Sequence, residues 1–97
     1  MGVCAAAELV GKNVANVQGH IIGSIQDVLV DTQAWQVCDV RVRVDKQTAK
    51  ELGLKAPLFG RLQILIDIRR VVSVADQVVV DIATDGFADY LQSREES

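Results

Sequence analysis

A chain of 97 residues, 49% of them hydrophobic, makes one domain with a core able to stand alone and leaves no room for a second. The net charge of −3 and a pI near 4.9 exclude a general attraction to nucleic acid or anionic membrane, because such binding rests on a basic face. Aromatic residues supply only 4%, so the interior is aliphatic, and sixteen valines favour sheet over helix.

In chain order, residues 1–8 are Ala-rich and read as a flexible N-terminus or a single helical turn. Residues 12–17 alternate polar and apolar side chains, a first short strand, and Gln18-Gly19-His20 supplies a turn. A second strand runs from Ile21 to Asp31, bent at Gly23, where a missing side chain permits a bulge or a close approach of backbone. Asp31 and Thr32 form a turn, and Trp35, the one indole, is expected to cover one end of the core.

The third strand, 37–45, is the clearest: Cys38, Val40, Val42 and Val44 fall on one face, and Asp39, Arg41, Arg43 and Asp45 on the other. A helix would scatter these residues around its circumference, so a strand half-buried between core and water is required. Asp45 then caps a short helix over 46–52, which Gly53 stops, with Leu54 folding back on Ala49. Residues 55–61 form a loop that Phe59 pins to the body of the fold.

Leu62, Ile64, Ile66 and Ile68 share one face of a fourth strand. Residues 71–74 and 78–82 then read as a tight hairpin, with Asp76 best able to take a left-handed conformation. Thr84 or Asp85 can cap a terminal helix bearing Phe87, Tyr90 and Leu91 at spacings of three and four, followed by a charged, disordered tail from Ser93. The pattern predicts a mainly β fold of five or six strands. They form a small barrel or strongly curled sheet, with one short helix between strands 3 and 4 and a C-terminal helix. The divisions are a flexible N-terminus at 1–8, the barrel at 9–83 and the C-terminal helix and tail at 84–97.

No constellation of catalytic type stands out. His20 has no second histidine or cysteine at ligand spacing, and zinc needs three or four protein ligands. Asp27, Asp31, Asp67 and Asp81 sit where strands end, without a nucleophile or phosphate loop beside them, so neither enzyme, metal nor cofactor is expected. Two groups read as contact residues instead. Arg61, Arg69 and Arg70, with Lys55, can gather at one rim to hold phosphate or a carboxylate. The stripe Phe87, Tyr90, Leu91 must lay its apolar face on something, its own barrel or that of a partner. Two cysteines in no pattern, 34 positions apart, point to a reducing cytosol, with Cys38 a buried thiol. No apolar run approaches the roughly 18 to 20 residues of a membrane span, and the first ten residues lack the marks of a signal peptide, so the chain reads as cytoplasmic.

The run Leu9-Val10-Gly11-Lys12-Asn13-Val14, followed by Gly19-His20-Ile21-Ile22-Gly23-Ser24-Ile25-Gln26-Asp27-Val28, resembles the opening of a PRC-barrel domain. Residues 44–54 and 66–80 resemble the short free-standing PRC-barrel proteins of archaea, of CdpB type. The resemblance covers about 9–82 and implies a barrel module that binds macromolecules, non-enzymatic and tending to dimerise. For the archaeal type it further implies a homodimer or a hetero-oligomer with a paralogue, a role in cell division, and contact with SepF, the membrane anchor of the division ring. The alternative is an RNA- or ribosome-associated module similar to the maturation factor of RimM type, which would use Arg61, Arg69 and Arg70 on phosphates. The chain departs from the family's pattern in Ala75, where a glycine usually opens the last hairpin, and in the helix beyond the barrel.

Overall fold

Val40, Val42 and Val44, predicted to share one face, are buried side by side, and the rest of the core is laid over them. The computed structural model describes residues 3–55, 57–58 and 60–96; Phe59, expected to pin the loop, lies outside them. Six strands follow in order: β1 (Asn13–Asn16), β2 (Ile21–Asp31), β3 (Gln36–Val44), β4 (Leu62–Asp67), β5 (Val71–Val74) and β6 (Val78–Val80). Three helices accompany them: α1 (Ala6–Leu9), α2 (Lys46–Glu51) and α3 (Phe87–Glu96). One sheet holds all six strands in the order β4-β3-β2-β1-β6-β5, parallel only between β1 and β6. The predicted mainly β fold, with one short helix after the third strand and another at the C-terminus, is the fold observed.

The sheet curls around a single aliphatic interior. Val14, Ile22, Ile25, Ile64, Ile66, Val78 and Val80 join the β3 valines in one cluster, which Ala49, Leu52, Ile82 and Phe87 complete. Alternation explains who enters: Ile64 and Ile66 go in while Leu65 between them stays out. Gly23 serves the close approach expected of it, because β3 passes so near that an added Cβ would run into the carbonyl oxygen of Arg43. α2 ends as predicted. Asp45 Oδ1 accepts from the Thr48 N–H at 2.7 Å, Gly53 takes φ +74°, and Leu54 N–H closes on Ala49 O at 2.8 Å, a Schellman ending.

Several expectations fail for local reasons. Trp35 does not cover the core; it is 78% exposed and adopts φ +54°. Asp76 is not left-handed, and among the described residues Trp35 alone of the non-glycines is. Cys38 is half-buried, its thiol donating to Leu29 O at 3.5 Å. Thr84 sits in a short 3-10 turn that precedes the helix, and Asn16 and His20 engage its hydroxyl. The helix also runs on through Ser93 to Glu96 where a disordered tail was expected, with Arg94 tied to Asp39 at 2.7 Å. No described helix is long and apolar enough to cross a membrane.

Candidate functional site

The two ends of the sheet, β4 and β5, are not joined by any ladder among the described residues, and they are finished differently. An edge strand presents unpaired N–H and C=O groups that template pairing with another chain. Towards the C-terminal end of β4 two of those groups are taken up by α3: the Asp67 N–H donates to Tyr90 Oη at 2.9 Å, and Arg94 Nη1 donates to Leu65 O at 3.3 Å. Among the described residues no side-chain bond of this kind reaches β5. Val72 is 55% and Val74 50% exposed, and the register slips between Val71 and Ser73.

Beside this end of β4 lies a shallow depression of about 600 Å³ lined by Asp67, Arg69, Arg70, Tyr90 and Arg94. Arg69 holds Asp67 through both carboxylate oxygens, at 2.8 and 3.1 Å, which pulls the Asp67 carboxyl down to about 2. Arg94 Nη2 forms an ion pair with Asp39 Oδ1 at 2.7 Å. Burial pulls the Arg94 pKa down, yet its bonds to Asp39 and Tyr90 outweigh that and raise it. Arg70 differs from both. Its guanidinium stacks over the Tyr90 ring, 5.3 Å from the centroid, and its Nε is buried with no acceptor.

The predicted contact residues are therefore divided. Arg69 and Arg70 come together, joined by Arg94, which the sequence reading did not include. Arg61 does not join them: it precedes β4 and they follow it, and a strand of that length separates its ends by roughly 20 Å. Phe87 is fully buried in the chain's own core, with Tyr90 and Leu91 packed against it, so the stripe is seated on its own sheet. Leu91 also lines an open groove of about 910 Å³ with Leu54, Leu62 and Ile64. His20 takes part in a latch: Nδ1 lies 3.2 Å from Thr84 Oγ1 and Nε2 lies 3.1 Å from Glu51 Oε2. Buried Asn16 donates to the same Thr84 oxygen at 2.8 Å and accepts from the Gln18 and His20 N–H groups. A carboxylate, an imidazole and a hydroxyl in line resemble a catalytic relay, but neither groove includes them, and their bonds fasten the β1–β2 turn to α2 and to the start of α3.

A third feature is an arm. β1 and β4 flank the lower part of the β2–β3 hairpin, while residues 30–37 have only each other as ladder partners. Val30 and Val37 pair across the arm and both are exposed, with Trp35 at the tip. Asp31 Oδ1 accepts from Gln33 and Ala34 N–H, and this turn needs a left-handed residue at its end. Tryptophan fills that place where glycine is usual, at a backbone cost of about 1–3 kcal/mol.

A curled aliphatic sheet with a filled interior, two differently finished edges and apolar side chains on a projecting arm defines a small β module built for contact. Residues 1–86 match the PRC-barrel domain, and the chain belongs to that family, whose members are small interaction modules, generally non-catalytic. No curated protein matches the chain.

Proposed function

We propose that the chain is a non-enzymatic adaptor that self-associates through β5 and presents its arm to a second protein. The carrying observation is the uneven treatment of the sheet's edges: α3 bonds two backbone groups at the end of β4, whereas Val72 and Val74 of β5 stand exposed. Pairing of β5 with β5 of a second copy would be isologous, satisfying the free backbone groups on both sides and removing four valine side chains from water. The arm supplies the other surface, since an exposed tryptophan flanked by valines is the composition of an interface centre. Resemblance of residues 44–54 and 66–80 to the free-standing archaeal proteins supports a finer reading: a cytoplasmic homodimer or paralogue hetero-oligomer in archaeal cell division, with SepF as the second protein. The RNA-associated alternative is supported less well, because Arg61 is a strand's length from Arg69 and Arg70.

Sedimentation at tens of micromolar tests this. The parent chain is expected to run as a dimer, and Val72→Lys combined with Val74→Lys as a monomer, with at least about tenfold weaker association and an unchanged far-UV circular dichroism spectrum. A monomeric parent chain, or a double variant that dimerises as well as the parent, overturns it.

A further inference from the structure

The depression around Tyr90 holds three guanidinium groups against two carboxylates among its described neighbours, and the surplus charge belongs to Arg70. Asp67 neutralises Arg69 and Asp39 neutralises Arg94. Among the described residues the ring of Tyr90 is the one partner of the Arg70 guanidinium. A half-buried guanidinium without a counter-charge is costly, and an arriving anion removes that cost. The platform beneath it is fixed. Tyr90 Oη is held by the Asp67 N–H at 2.9 Å and by Arg94 at 3.3 Å, so the ring that Arg70 sits over is oriented before any ligand arrives.

We infer that Arg70 is a receptor for one carboxylate side chain of an acidic segment in a partner protein. Only Nε of its nitrogens is buried without an acceptor, which leaves the terminal N–H groups as the donors that meet the two carboxylate oxygens. One surplus positive charge suits a monoanion. A phosphate dianion would leave one charge uncompensated, and a nucleic acid strand would bring further phosphates against a chain of net charge −3. The inference rests on the reading of the chain as a protein-binding module, and it supplies the chemistry of one contact.

The test follows the Arg70 Nε–Hε signal by NMR in the full chain at low salt, titrated separately with a capped oligoglutamate peptide, inorganic phosphate and oligouridylate. The peptide is expected to shift that signal saturably. Arg70→Gln and Arg70→Lys are both expected to bind it about tenfold more weakly, the lysine variant because it keeps the charge and loses the fork. Undisturbed amide spectra of the variants exclude unfolding as the cause. The inference is overturned if the peptide leaves the signal unmoved, if Arg70→Gln binds as tightly as the parent, or if phosphate or oligouridylate binds more tightly than the peptide. Sedimentation of the same samples keeps the two readings apart: a dimer that ignores the peptide removes only the carboxylate receptor, and a monomer that binds it removes only the self-association.

Discussion

Phe87→Ala is expected to destabilise the protein by about 3–5 kcal/mol, the range for emptying a fully buried aromatic site. For a domain of this size that is a large share of a total stability of about 5–15 kcal/mol. The loss should exceed a simple cavity effect. α3 spans ten residues, too few to persist as an isolated helix, and Phe87 is its one fully buried side chain among those described. Once Phe87 lets go, Tyr90 and Arg94 leave the β4 backbone, and that edge opens as β5 already is. Urea unfolding measures the loss, and light scattering should show the variant associating further. A loss under about 1 kcal/mol would mean that α3 is not anchored through this residue.

Gly23→Ala is expected to cost about 3 kcal/mol or more, at the upper end for overpacking, although only one methyl group is added. The new Cβ meets the backbone of Arg43, at its carbonyl oxygen and at 3.0 Å from its carbon, and lies 3.1 Å from Val42 Cγ1. A flexible side-chain end could swing aside, but a strand backbone moves only with its ladder. Ser24 pairs with Arg43 and Ile25 with Val42, so relief at Gly23 breaks the pairing that holds the core valines of β3. Gly86→Ala is the control. A methyl there meets only Ala83 Cβ at 4.0 Å, and thermal unfolding should be nearly unchanged. Equal effects of the two substitutions would refute the account of Gly23.

Period-two alternation made β3 and β4 legible before any coordinates, because burying one face of a strand forces that pattern on its residues. Asp45, Gly53 and Leu54 were equally legible, since helix ends have local chemistry. The contact surfaces were harder. Whether Tyr90 and Arg94 seal an edge depends on which strand ends the sheet, and the parallel pairing of β1 with β6 that sets this order leaves no local mark. Arg61 and Arg69 look close in sequence, yet a strand stands between them. Trp35 misled for a different reason. Its size argues for burial wherever it occurs, and only the reach of the hairpin beyond its neighbours puts it in water.

The indole at the hairpin tip also separates two events optically. As the chain's one tryptophan, already hydrated in the folded state, it should change its emission little when the interior melts. A macromolecule settling over the tip would strip water from it and move the emission to shorter wavelength, so a single fluorophore would report recognition while staying nearly blind to unfolding.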